Sequence, residues 1–228
     1  MCGRYTLFRL EQLLHRFPWI QRPPADLLPR YNIAPTQPVL VIPNERADRF
    51  DYFNWGLIPP WAKDPSVGNR MINARVETVA EKPAYAKPLR RRRCLVPADG
   101  FYEWRKDPDG KSKTPMHIRM KSGEPFAFAG LWESWHSVDG SEILSTTLIT
   151  GQPNELVSKI HDRMVVIVKP EHYQRWLDPD ERDPHDLLPM LKPYPAEEMT
   201  ATPVSRVVNN PKNETAECIA SPANETLF

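Results

Sequence analysis

Cys2 stands directly behind the initiator methionine, with Gly3 and Arg4 after it. Methionine is commonly trimmed when the second side chain is small. Trimming here leaves a 1,2-aminothiol, with an α-amine and a thiol on adjacent carbons. Position alone does not separate that chemistry from an incidental cysteine. Lipidation lacks both a hydrophobic signal ahead of the residue and a polybasic anchor. Four further stretches carry polar groups where a plain strand or loop needs none. In "NARVET" an extended backbone points Asn73 and Arg75 the same way. In "FYEWRK" alternation places Phe101, Glu103 and Arg105 on one face, against Tyr102 and Trp104. Glu103 is then either a solvent-facing partner of Arg105 or a carboxyl raised by desolvation among aromatics, fit to give a proton near neutral pH. In "IHDRM" His161 either satisfies the end of a preceding helix or moves protons. In "PVSRVVNNPKN" Ser205, Arg206, Asn209 and Asn210 either hold phosphates or satisfy turn geometry. A cysteine, an asparagine, a glutamate and a histidine scattered along a chain are what one site often looks like in sequence.

Composition narrows the class. The 228 residues are 40% hydrophobic and 26% charged, with seven tryptophans, which describes a globular chain with one sizeable core. No apolar run reaches the length of a membrane span. Three widely spaced cysteines without C-x-x-C argue against a disulfide framework and against structural zinc, and point to a reduced, cytoplasmic setting. No phosphate-binding loop, dinucleotide fingerprint, H-E-x-x-H or G-x-S-x-G is present, so no metal and no cofactor is expected. The net charge of +1 hides an asymmetry: Glu81 to Lys106 holds eight Lys or Arg against three acids, and Glu171 to Met199 holds eight acids against three Lys or Arg. The first segment is either a phosphate-attracting face or a solvated basic surface.

The elements that must position these residues read as follows. Thr6 caps a helix whose Leu10, Leu13, Leu14 and Phe17 recur on one face, closed by Pro18. "RPPADLLPRYNIAPTQP" runs as ordered loop. Short strands follow at "PVLVI", "RFDYFNWG", "RCLVPA", "GFYEWRK", "PMHIRM", "FAFAGLW", "ILSTTLIT" and "MVVIV", with turns at "DPDG" and "KSGE". Helical pattern returns at "PNELVSKIH", "EHYQRW" and "HDLLPML". The prediction is a single α+β domain over residues 1–228, with a largely antiparallel sheet curled into a barrel or half-barrel. Its core runs over about 2–213, and 214–228 forms a loose tail.

Taken in order and spacing, Cys2-Gly3-Arg4, "RYNIAPTQ", "WGLIPPW", "INARVET", "ADGFYEW", "IHDRM" and "PVSRVVNNPKN" resemble the SOS-response-associated peptidase family, also called abasic-site processing proteins, over roughly residues 2–213. The resemblance implies an N-terminal cysteine that traps the aldehyde of an abasic site in single-stranded DNA as a covalent adduct. It makes Cys2 the nucleophile, Asn73 the group that orients it, and Glu103 and His161 a proton-transfer pair. It places Arg4, Asn32, Trp61, Arg75, Arg163, Ser205 and Arg206 along a DNA groove. Val165 stands where family members often have proline, and Ala62 where some have a second aromatic, which weakens stacking there.

The residue types suit that chemistry. An α-amine near pKa 7.7–8.0 and a thiol near 8.5 are both available at neutral pH, to the extent of roughly a seventh and a few per cent respectively. The amine attacks the ring-opened sugar and loses water to give an imine, and the thiol closes a thiazolidine on the same carbon. Tethering is worth up to about 7–11 kcal/mol over a free thiol. The partner implied is single-stranded DNA containing abasic sites, bound by a monomer in the cytoplasm, on the nucleoid when engaged. Two other readings stand beside this one. One is an N-terminal-nucleophile cysteine peptidase or amidohydrolase that could remove its own Met1. The other is a non-covalent single-strand binder.

Overall fold

The computed structural model describes residues 2–20 and 23–222. The trimming of Met1 and the far end of the expected tail, 223–228, therefore lie outside the described residues. The strands are β1 (Tyr5–Leu7), β2 (Arg30–Ile33), β3 (Pro38–Pro43), β4 (Asp51–Trp55), β5 (Asn73–Arg75), β6 (Arg93–Ala98), β7 (Gly100–Lys106), β8 (Lys113–Met120), β9 (Phe126–His136), β10 (Glu142–Gly151), β11 (Met164–Val165), β12 (Ile167–Val168) and β13 (Met199–Pro203). The helices are short: α1 (Leu10–Arg16), α2 (Pro83–Arg91), α3 (Tyr173–Trp176) and α4 (Pro184–Leu187), with several 3-10 turns between. None of them is long and apolar enough to cross a membrane.

The pairings close a barrel. β3 pairs with β4, β4 with β10, β10 with β9, β9 with β6, and β6 returns to β3, so these five strands form a ring without an open edge. Only the β4–β10 joint of this ring is parallel. Beside it lies a second sheet in the order β13-β8-β7-β1-β2, antiparallel throughout. Aromatic side chains join the two. Tyr5 on β1 meets Trp55 on β4 edge-on at 5.4 Å and Phe128 on β9 at 5.6 Å, and Phe101 on β7 reaches Phe128 at 6.1 Å. The two sheets thus share one apolar core, and the expected α+β domain with a curled, mostly antiparallel sheet is what forms.

Several local expectations give way to tertiary contacts. Thr6 lies in β1 and caps no helix. Its hydroxyl donates to Asp99 Oδ1 at 2.5 Å, and Asp99 Oδ2 accepts the amides of Phe8 (2.5 Å) and Arg9 (2.7 Å). This buried carboxylate fastens β1 to the β6–β7 corner, and α1 starts at Arg9 without a side-chain cap. The Pro153–Ile160 helix shrinks to a 3-10 turn at Val157–Lys159. "MVVIV" splits at Val166, whose N–H goes to Ile149 on β10 and whose carbonyl serves Ala129 on β9. A strand crossing the seam between two neighbours cannot stay on one ladder. The proline-rich 22–38 stretch contains β2, and "PAYAKPLRR" forms α2 with Pro83 in its first turn, where the missing N–H costs nothing.

The expected loose tail is docked over 214–222. Glu214 Oε1 accepts the amides of Tyr31 (2.5 Å) and Asn32 (2.7 Å), its Oε2 pairs with Arg30 at 2.9 Å, and Cys218 is fully buried. The carboxylate covers the outer edge of β2, which would otherwise be left open.

Within the basic segment, the Arg90–Arg93 run is held by partners, while Lys82, Lys87, Arg105 and Lys106 are exposed. Arg90 and Arg91 pair with Glu181, and Arg92 pairs with Glu133 at 2.6 Å. Arg93 is wholly buried and donates to the carbonyls of Trp176, Leu89, Arg90, Asp178 and Asp180. The two segments meet at Glu181, which serves both Arg90 and Arg91. Removing the Arg93 guanidinium strands five carbonyls at once. Arg93→Met is therefore expected to cost about 3 kcal/mol or more in urea denaturation; an unchanged midpoint would show that water serves those carbonyls.

Candidate functional site

Three elements from distant parts of the sequence converge on Cys2. It precedes β1, the central partner of β2 and β7, and is fully buried in the unprocessed chain. Asn73 opens β5, which rides parallel on β10, and its Nδ2 donates to the Cys2 carbonyl at 2.8 Å. That acceptor fixes the amide's orientation, so Oδ1 is the free end. It is buried and has no hydrogen-bond partner among the described residues. Glu103 lies on β7 and is only 3% exposed. Burial is the main cause that lifts its carboxyl to about 7, with the Asp162 carboxylate adding to the effect. The solvent-facing pairing with Arg105 is therefore overturned: the strand turns this face inward.

His161 follows the 3-10 turn, and its Nε2 lies 4.0 Å from Glu103 Oε2. Its Nδ1 accepts the backbone N–H of Arg163 at 3.0 Å, which leaves Nε2 to carry the ring proton toward Glu103. Burial lowers the ring's pKa and keeps it neutral at physiological pH. The Cys2 thiol is pushed up, first by burial and then by the Glu103 carboxylate, and its Sγ faces the Arg4 carbonyl at 3.9 Å. A thiol in that setting is not a preformed thiolate of the cysteine-protease kind. The arrangement supplies a proton donor and acceptor beside an N-terminal residue whose nitrogen lies in the peptide bond to Met1 until that residue is removed.

The matching family model covers residues 1–211 and describes the SOS response associated peptidase (SRAP) family. The chain belongs to this family. Among SRAP relatives, the abasic site processing protein YoqW of Bacillus subtilis is 48% identical over 224 residues, covering 97% of this chain and all of that one. YoaM of the same organism, also an abasic site processing protein, is 46% identical over 96% of this chain and 97% of its own. The mouse abasic site processing protein HMCES is 32% identical over 96% of this chain and 76% of its own. A crystal structure of a protein from Bacteroides thetaiotaomicron superposes with a TM-score of 0.82 at 25% identity, covering 98% of both chains.

The residues expected along a DNA groove divide by what their side chains already hold. Trp61 is 62% exposed at the tip of the "WGLIPPW" loop. That loop is rigid. Gly56 has φ +137°, and a Cβ there would sit 2.5 Å from the Gly68 carbonyl, so no other residue fits. The Ala62 carbonyl further accepts the indole N–H of Trp135 at 2.8 Å. Arg75 is exposed on β5, and Arg206 is exposed beside Trp104 and Lys113 in a shallow depression.

The others are committed elsewhere. Asn32 is fully buried: its Oδ1 accepts from Arg4 at 2.7 Å and its Nδ2 donates to the carbonyls of Val208, Asn210 and Asn213. It clasps the 205–213 loop and cannot reach DNA. Arg4 donates to Asn32 and the Val208 carbonyl and packs over Trp104. Ser205 caps the 3-10 turn of Arg206–Asn209 by accepting from Val207 N–H at 3.3 Å. Arg163 holds Glu77 with both terminal nitrogens, at 2.5 and 2.9 Å, and the Thr150 carbonyl at 2.8 Å. Motif position alone did not reveal Glu77, Asp162 or Lys113, although Glu77 stands in "NARVET" and Asp162 in "IHDRM". No group of three His, Cys, Asp or Glu among the described residues could hold a metal ion.

Proposed function

We propose that this protein processes abasic sites by capturing them covalently: once Met1 is removed, Cys2 crosslinks to the ring-opened sugar aldehyde in single-stranded DNA. The observation that carries the reading is the meeting of Cys2 with Asn73, Glu103 and His161, three groups drawn from β5, β7 and the 3-10 turn before β11.

The free α-amine attacks the aldehyde carbon, and Asn73 Oδ1 accepts one of its N–H groups, which selects the lone pair's direction. Protonated Glu103 gives its proton to the departing hydroxyl of the carbinolamine, and water leaves as the imine forms. The thiol then adds to the imine carbon. Its proton passes to the Glu103 carboxylate, and the nitrogen keeps the proton it carried as the iminium, closing a five-membered thiazolidine. Aldehyde and aminothiol yield ring and water, so the step balances. A neutral thiol suits this order, because a thiolate would compete with the amine for the aldehyde.

Trp61 offers an apolar face to the bases around the lesion, where stacking is worth about 1–3 kcal/mol per base and is indifferent to sequence. Arg75 and Arg206 offer charge to phosphates, which makes initial binding salt-dependent. Among the described residues, His161 Nε2 faces Glu103 and Cys2 faces the Arg4 carbonyl, which does not favour the Cys–His pairing of a cysteine peptidase.

The test is mass analysis of a captured complex. Protein freed of Met1 and mixed with single-stranded DNA bearing one abasic site is expected to give a heat-stable conjugate, with the sugar carbon bonded to both N and Sγ of Cys2. A linkage through any other residue, or a conjugate formed by protein retaining Met1, would sink the reading.

A further inference from the structure

The Arg163 side chain is withdrawn from solvent by Glu77, and this arginine lies two residues from the ring that faces Glu103. Both terminal nitrogens of Arg163 meet both carboxylate oxygens of Glu77, at 2.5 and 2.9 Å, and one of them also reaches the Thr150 carbonyl at 2.8 Å. The contact pulls the Glu77 carboxyl below its ordinary value. A fork-to-fork pair with a third, backbone anchor fixes the position of the Arg163 main chain as well as its side chain. The Arg163 N–H is the donor to His161 Nδ1, at 3.0 Å.

Two partners compete for that ring nitrogen. Asp162 Oδ1 lies 2.9 Å from the same Nδ1, with a side chain 89% exposed. A backbone N–H can only donate, so contact with Arg163 requires Nδ1 bare and the proton on Nε2. A carboxylate can only accept, so contact with Asp162 requires the proton on Nδ1. The two tautomers present opposite faces to Glu103: Nε2–H is a donor toward Oε2, and bare Nε2 is not.

We propose that Glu77 is a positioning residue: by clamping Arg163 it holds the Arg163 N–H on His161 Nδ1, excludes the Asp162 alternative, and keeps the His161 ring proton on Nε2 facing Glu103. The inference rests on the lesion-capture reading for its consequence in catalysis, but the tautomer itself is a property of the free protein. Among the described residues the groups around the ring are Glu103 on β7, Asp162 and Arg163 beside it, and Lys113 on β8, which acts on it electrostatically; the chain's N-terminal charge also lowers its pKa.

Long-range nitrogen–proton NMR of the imidazole, on ring-labelled protein without DNA, reads the tautomer directly. The native protein is expected to show the Nε2–H form. Glu77→Gln frees Arg163 and is expected to shift the ring toward Nδ1–H, facing Asp162. Adding Asp162→Ala to Glu77→Gln removes the competing acceptor and is expected to restore Nε2–H. In single-turnover capture of an abasic oligonucleotide, Glu77→Gln is expected to be roughly tenfold slower, and the double variant to recover to within about twofold.

If Glu77→Gln fails to fold, Arg163→Lys, which keeps the backbone N–H but loses the two-pronged pair, carries the same expectation. An Nε2–H ring in the folded Glu77→Gln protein, or a slowed rate that Asp162→Ala does not rescue, would overturn the proposal. Absence of any adduct with the native protein would instead sink the capture reading, while the NMR comparison still decides the role of Glu77.

Discussion

Cys2→Ser, with Met1 removed, is expected to retain an imine with an abasic oligonucleotide that borohydride can trap, yet to form no heat-stable conjugate. The amine survives the substitution, so the first bond still forms. The hydroxyl is a far weaker nucleophile toward an imine carbon, and the five-membered ring it would close reopens in water. The tethered thiol is worth up to about 7–11 kcal/mol of effective concentration, so the loss of stable adduct is expected to exceed a thousandfold. Denaturing gels with and without borohydride separate the two bonds. A native-like heat-stable band from Cys2→Ser would remove sulfur from the mechanism, and failure of borohydride to trap anything would remove the amine.

Glu103→Gln is expected to make the protein more stable and less active at once. In the folded chain the carboxyl titrates near 7 against an ordinary value of 4.5. The folded state therefore holds that proton more tightly than the unfolded chain does. Below about pH 4 both states are protonated and nothing is lost. As pH rises from there to 7 the unfolded chain ionises first, and above 7 the buried carboxylate destabilises the fold by up to about 3 kcal/mol. Glutamine never ionises. Glu103→Gln should thus match the native protein at acid pH and exceed it above pH 7 in urea midpoints.

Its capture rate should fall by roughly a hundredfold or more, the usual loss when a positioned proton donor is removed. The native rate should peak near neutrality, limited on the acid side by the amine's protonation and on the alkaline side by ionisation of Glu103. The variant should lose the alkaline limb. Lower stability of Glu103→Gln at pH 8 would show that Glu103 is held as a stabilising ion pair, and an unchanged rate would dismiss it as the proton donor.

Much of the strand inventory was legible because alternation and turn chemistry are local. "RCLVPA", "FAFAGLW" and "ILSTTLIT" become β6, β9 and β10, as their patterns require. What alternation could not reveal is that β10 and β9 pair with each other and close the ring through β4, β3 and β6, since pairing is a contact between segments. The helical patterns were poorer guides. Pro153–Ile160 keeps only a 3-10 turn at Val157–Lys159, entered where Asn154 Oδ1 accepts the Val157 N–H. α2 carries two prolines, of which Pro83 sits where a helix tolerates one and Pro88 lies inside it.

The sequence by itself determined the reactive residue types: a cysteine that trimming would make terminal, an amide, a carboxyl and an imidazole in motifs that named the family. Only the tertiary structure decided which polar groups remain available. Asn32, Arg163, Ser205 and the Arg90 to Arg93 run look as usable in sequence as Trp61 or Arg75, yet most are consumed by partners far away along the chain, such as Val208 for Asn32, Glu77 for Arg163 and Asp178 for Arg93. The reason is physical. A buried donor must find an acceptor, and in a closed barrel those acceptors come from whichever strand or loop the ring brings alongside. The same burial that consumes those groups raises the Glu103 carboxyl, so its acid strength was set by the fold and not by its neighbours in sequence.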